Sequence, residues 1–375
     1  MLYSYQYIGP HHIEKFQTYL DFLFFEVWLP ATGRFNTSKL DINPEFKDIY
    51  TRLEIQDSDT GNIFTNKIAQ IYEAFAIIDD SEFKEAIKQF YIANNNIEQL
   101  CNDKTIIPIT YKELEEKQPD LNALLKSFYS KLYGSTSPFN LKIFGELSKE
   151  LMGKYDFNFM ELNTKGICPF CGILPLKDNN ASYREAYDHY LPKGLYPFNS
   201  INFKNLAPMC HECNSTYKLS KVPIDEKDGK NINPIQKTSS RKLAFYPYAT
   251  DNPEIEDYTF EIKINTNDIL NIKPEDIELT INVEDNDEKV ETWKRVFGID
   301  ERYKALLCKE LEGKAWFTKV YDEYENAQCL SEIENAEKYY DYILRDAKKI
   351  LLSSNGFLKS VFLEECKAKG LFDNI

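Results

Sequence analysis

The chain has 375 residues, 43% hydrophobic and 28% charged, a balance ordinary for a folded soluble protein. A net charge of −15 is awkward for a free-standing nucleic-acid binder, because phosphates are gripped by clustered Lys and Arg. No apolar run approaches the ~20 residues of a membrane span, and the opening MLYSYQYIGPHHIEKF lacks a basic stretch followed by an apolar one, so no membrane and a cytoplasmic location are expected.

Residues 1–155 read as a helical domain. Phe16, Tyr19, Leu20, Phe22, Leu23 and Trp28 suggest a buried helix ending before Pro30, followed by a loop-rich stretch over 31–62 with a turn at 57–61. Ile63, Ile68, Ile71, Tyr72, Phe75 and Ile78 then recur at near-helical spacing, and Ser81 has the character of the next N-cap. Thr110 and Glu113 form a capping box whose helix Pro119 interrupts, with a second helix over 121–132. Ser137-Pro138 pairs a cap with an N1 proline and opens a helix expected to reach about Lys154. The aromatic stripes of this region are expected to be core.

The central stretch carries the chemistry. Cys168/Cys171 and Cys210/Cys213 are two Cys-x-x-Cys pairs, each a tight turn that aims two thiolates at one point, and together they predict a closed tetrahedral Zn2+ site. Disulfides would need an oxidising compartment, which nothing in the sequence supports. Four thiolates leave zinc no open position, so that metal is structural and the reactive group lies elsewhere. Only four histidines exist: His11, His12, His189 and His211. His11-His12 follow Gly9-Pro10 and read as turn residues, and His211 reads as a solvent-facing turn residue between zinc ligands. His189 follows Asp188 in a β-like run over 183–191. An imidazole can take a proton from water, and the adjacent carboxylate can hold a divalent cation. Asn214 opens a short predicted helix over 214–219 and offers a second hard ligand, with Lys218 on the same helical face.

Asp188-His189, Asn205 in NLAPMC and Asn214 in CNSTYK, bracketed by the Cys pairs, resemble the HNH nuclease family and its ββα-metal core. The resemblance covers about fifty of the 375 residues. It implies that His189 activates water, that Asn205 orients the histidine through backbone hydrogen bonds, and that Asp188 and Asn214 hold one Mg2+ or Mn2+. It matches the subgroup in which cysteines add a stapling zinc. A final Asn in place of His is a variant of the family pattern. Lys218 is a candidate phosphate contact. The longer phrase DHYLPKGLYPF to CNSTYK is similar to HNH proteins that bacteria carry in anti-phage defence modules beside an ATPase. That implies an ATPase-type partner and, as substrate, an invading nucleic acid or host DNA or tRNA, with DNA favoured over RNA.

From 165 to 221 seven basic residues face four acidic ones, so this window is +3 and the remainder −18. The acidity lies outside the nuclease-like stretch and suits either solubility or a surface that docks on a partner protein supplying the nucleic-acid grip, the second being favoured. Residues 222–240 read as a polar loop and 242–248 as a short strand. Residues 258–264 and 277–283 alternate with period two and predict a hairpin-like pair, followed by helices over about 287–297, 301–325, 331–353 and 357–369. The expected fold is therefore α+β and mostly helical: an N-terminal helical domain (1–155), a zinc-stapled ββα core with its following loop (156–248), and a C-terminal domain of a β pair and helices (249–375). Two other functional readings remain open: a zinc-stapled binding module whose HNH fold is not catalytic, and a toxin-like nuclease cutting host RNA.

Overall fold

The computed structural model describes every residue except 57, 136, 145–147, 182–183, 227–239, 331–332 and 373–375; for 148–149 and 328–330 it describes the backbone alone. The architecture is α+β and mostly helical, with two small antiparallel sheets.

The first eleven residues are extended rather than helical. They run along the central stretch, with the Leu2 N–H donating to the Pro169 carbonyl (2.9 Å) and the Tyr5 N–H to the Pro247 carbonyl (2.8 Å). After a 3-10 turn at His12–Glu14 comes α1 (Lys15–Phe22), continued by a π-helical segment (Leu23–Trp28). The wider winding lets Leu23, Phe24, Val27 and Trp28 all reach the interior. The expected loop over 31–62 instead contains α2 (Pro44–Gln56), built on Phe46, Ile49, Tyr50 and Leu53 at i, i+3, i+4 and i+7 with Pro44 in its first turn. Of the turn expected over 57–61, residue 57 lies outside the described residues, and α3 (Asp59–Ala76) starts within it, capped by Ser58.

α4 (Ser81–Asn95) is capped by Asp80, one residue before the expected cap, and leads to α5 (Ile97–Asn102). The Thr110–Glu113 capping box opens α6 (Tyr111–Lys117), and Pro119 starts α7 (Pro119–Lys131). The helix expected from Ser137 is two short 3-10 turns, Pro138–Asn140 and Lys142–Phe144; the true helix, α8, spans Ser148–Leu162.

In the central stretch β1 (Tyr187–His189) pairs antiparallel with β2 (Leu206–Pro208) in the register Tyr187 to Pro208, Asp188 to Ala207 and His189 to Leu206. Of the expected run over 183–191, residue 183 lies outside the described residues, as does 227–239 of the expected loop. Residues 242–248 form no strand; Arg241 instead drives its guanidinium inward to the carbonyls of Ile224 and Leu100 (2.6 Å each). The hairpin is β3 (Thr259–Ile264) with β4 (Ile277–Asn282), the alternating burial of β3 placing Phe260, Ile262 and Ile264 inside. α9 (Asp287–Phe297), α10 (Ile299–Leu307), α11 (Gly313–Leu330), α12 (Ile333–Lys349) and α13 (Gly356–Ala368) complete the chain. The expected helix over 301–325 is broken between Leu307 and Gly313. One continuous cluster of buried apolar residues runs from Met1 to Phe372 through the central stretch.

Candidate functional site

The four cysteine sulfurs are buried and lie within 4.8 Å of one another. Cys168 and Cys213 Sγ are 3.8 Å apart, Cys171 and Cys210 Sγ 3.9 Å. A tetrahedral zinc with Zn–S bonds of about 2.3 Å requires an edge of about 3.8 Å, so the sulfurs fit one such ion. The Gly172 N–H donates to the Cys168 carbonyl (2.7 Å), and Gly172 itself sits at φ +66, where a side chain would be strained. Without a cation, burial pushes the Cys168 and Cys213 thiols up.

The C-terminal helices close over this cluster. Arg302 of α10 donates to Cys213 Sγ (3.1 Å) and to Glu212 (3.2 Å), and its guanidinium stacks 4.6 Å from the Tyr217 ring. Tyr303 donates to the Cys171 carbonyl (2.9 Å) and Trp293 of α9 to the Phe170 carbonyl (2.7 Å). Four thiolates on one Zn2+ leave two net negative charges, and a buried guanidinium against one sulfur offsets part of that charge.

Beside the knuckles, Asn205 is fully buried and clamps the end of β1. Its Oδ1 accepts from the Leu191 N–H (2.8 Å), its Nδ2 donates to the Leu191 carbonyl (2.9 Å), and its own carbonyl accepts from the Tyr190 N–H (2.8 Å). This fixes the backbone directly after His189. His189 is 8% exposed, with Nε2 2.8 Å from the Ser200 carbonyl. A carbonyl can only accept, so Nε2 carries the proton and the lone pair sits on Nδ1. The Tyr133 ring meets the imidazole edge-on at 4.7 Å, and the Lys193 ammonium lies 4.2 Å from the far ring of that pair. Burial lowers the His189 pKa to about 3, against a small upward pull from Ser200, with Lys193 and Lys218 lowering it further. The ring is neutral at pH 7.

Lys218 occupies a different place from the exposed helical face expected of a phosphate contact. Residues Cys213–Lys218 wind as a π-helix ended by Leu219 at φ 47. This turns the Lys218 side chain fully inward, where it pairs with Asp188 Oδ2 (2.5 Å) and donates to the His189 carbonyl (2.9 Å). Burial raises the Asp188 pKa, while Lys218 pulls it back. Asn214 is half-buried on the same turn; its N–H donates to the Cys210 carbonyl (3.0 Å) and its carbonyl accepts from the Leu219 N–H (3.1 Å). Asp188 and Asn214 offer the hard oxygen donors that Mg2+ takes. The Lys218 ammonium already sits on one carboxylate oxygen of Asp188. His211 is exposed, and His11 caps the turn at His12–Glu14.

Tyr133, Ser200, Lys193 and Arg302 belong to this site without any signature in the sequence. Of these, Lys193 and Ser200 lie between the motif residues His189 and Asn205, and nothing in the sequence distinguishes either from its neighbours.

No family model matches the chain, and no solved structure is significantly similar to it. Over 85 residues it is 32% identical to the Septu protein PtuB of Bacillus thuringiensis, a stretch that covers 22% of this chain and 30% of that relative. The similarity therefore spans less than a third of the relative's length.

Proposed function

We propose that this chain is a metal-dependent endonuclease of the HNH type that hydrolyses phosphodiester bonds, in DNA rather than RNA, as the effector of an anti-phage defence module acting with an ATPase-type partner. The observation that carries the reading is a neutral imidazole held in one tautomer, Nε2–H to the Ser200 carbonyl, next to the Asp188 carboxylate. His189 Nδ1 takes the proton of the attacking water. Asn205 and Ser200 hold the ring so that little reorganisation accompanies the transfer. In the empty site burial disfavours the imidazolium, and a phosphate brought beside it supplies the negative charge that favours it. Asp188 and Asn214 would hold Mg2+ or Mn2+, which when bound neutralises charge developing on the phosphate. The partial similarity to a Septu protein supports the defence setting and, with it, a protein partner.

The test incubates the purified protein, with and without the product of its neighbouring gene, with plasmid DNA and total RNA in Mg2+ or Mn2+. Cutting of plasmid that His189→Ala lowers at least about a hundredfold is the expected result. Equal cutting by that variant removes His189 from the base role.

A second reading, a zinc-stapled binding module without catalysis, is favoured by one observation: Lys218 already neutralises Asp188. On that reading Mn2+ does not bind near Asp188, and the relaxation of water protons by Mn2+ is the same for the parent and Asp188→Asn.

A further inference from the structure

A cleft of about 730 Å3 opens between the N-terminal helices and the central stretch. It shares a wall with the candidate site. Tyr133 lines it on one side and packs against His189 on the other. Ile201 and Phe203, on its floor, directly follow Ser200, the residue that fixes the imidazole. Its walls are aromatic and apolar, with Phe16, Phe139 and Met152 added to Phe203. Among the described residues its charged groups are one ion pair, Asp156 with Arg184. Arg184 also lies over the Tyr187 ring at 4.9 Å, and Tyr187 is two residues before His189 on β1. Asp156 Oδ1 is buried beside the Tyr187 hydroxyl.

Gly153 offers a way to close the cleft. It lies inside α8, lines the cleft and is exposed, and a Cβ built on it meets nothing within 4 Å, so a larger side chain has room there.

We infer that this cleft receives the unpaired base of a nucleotide adjoining the phosphodiester presented to His189, so that the substrate is single-stranded or locally unstacked nucleic acid. The inference rests on the nuclease reading for the position of the phosphate. A flat aromatic ring suits walls of Phe and Tyr. Arg184 and Lys193, at the two sides of the Tyr133 wall, supply positive charge for the flanking phosphates. A paired base in a duplex stays stacked and does not enter such a cleft.

The discriminating variant is Gly153→Leu, which fills the cleft while improving helix propensity, so its melting temperature should equal or exceed the parent's. Binding is read on a single-stranded oligonucleotide with one internal 2-aminopurine, as DNA and as RNA, on a His189→Ala background with and without Gly153→Leu. Quenching of the base on the His189→Ala protein, and weakening by about tenfold with Gly153→Leu added, is expected, since one base–aromatic stack is worth about that factor. The same oligonucleotide annealed into a duplex should bind more weakly by a similar factor. Equal binding with and without Gly153→Leu, or a duplex bound as tightly as the single strand, overturns the cleft assignment while leaving the nuclease reading intact. Gly153-dependent quenching with no cutting of any nucleic acid by the wild type in Mg2+ or Mn2+ upholds the cleft and overturns the nuclease reading instead.

Discussion

His189 makes the fold sensitive to acid in a definable window. Its pKa falls from 6.5 when unfolded to about 3 when folded. The stability it supports is thus fully present above pH 6.5 and is lost as the pH falls toward 3, because the unfolded chain takes up a proton the buried ring refuses. The full difference is on the order of a few kcal/mol. Asp156, pushed up by burial to about 6 from 3.8, acts in the opposite sense: its contribution is present below 3.8 and is lost as the pH rises through 6. Urea midpoints between pH 4.5 and 7 should therefore shift with a shallower slope in His189→Gln than in the parent, and a steeper one in Asp156→Asn. Lys218 gives a second prediction. Lys218→Met leaves Asp188 buried without its cation and should cost about 3–5 kcal/mol, much of it recovered by adding Asp188→Asn. Additive losses in that double-mutant cycle would show the pair to be uncoupled. At this scale the sequence was informative about His189, Asn205 and the cysteines, because their chemistry is tied to short spacings. It was misleading about Lys218, because whether a lysine four residues past Asn214 points out or in depends on a π-helical winding that no local propensity announces.

At the scale of elements, the four-cysteine turns and the C-terminal helices are bonded to one another. Removal of the metal, or Cys168→Ser, should unseat α9 and α10, since Trp293, Arg302 and Tyr303 all bond to the knuckle segments. The measurement is the emission of Trp293, which should shift to the red as the indole loses its partner at the Phe170 carbonyl. Unchanged emission after complete loss of zinc would separate the two elements. Arg302→Met keeps the bulk but not the charge, and should release zinc to a competing chelator more readily, by about ten- to a hundredfold in affinity. The hairpin of β3 and β4 and the helix over Asp287–Phe297 were readable from periodicity alone, as were α6 and its capping box. The helix over Pro44–Gln56 was hidden by polar residues among its four apolar anchors, and α8 by a cap-like Ser137-Pro138 that starts only a short 3-10 turn. Local start signals say where a helix can begin; burial of a whole face decides whether it continues.

For the molecule as a whole, the charge is +3 in the central window and −18 in the remainder, so on the proposed nuclease reading nucleic acid approaches a limited face and a partner contributes the rest of the grip. Binding by the isolated protein should fall with salt at a small slope, reflecting few phosphate contacts, and the slope should steepen when the partner is present. An equal slope with and without it would place the whole grip on this chain. The sequence by itself determined the mostly helical α+β class, the four-sulfur cluster and the Asp-His-Asn constellation, since each is written in spacing and residue chemistry within a few dozen positions. Only the tertiary structure decided that Tyr133 walls the imidazole, that Arg302 lies against a zinc-ligand sulfur from 89 residues away, and that a cleft opens beside the histidine. These are contacts between distant segments, fixed by how buried faces pack together, and packing leaves no periodic mark on the chain that carries it.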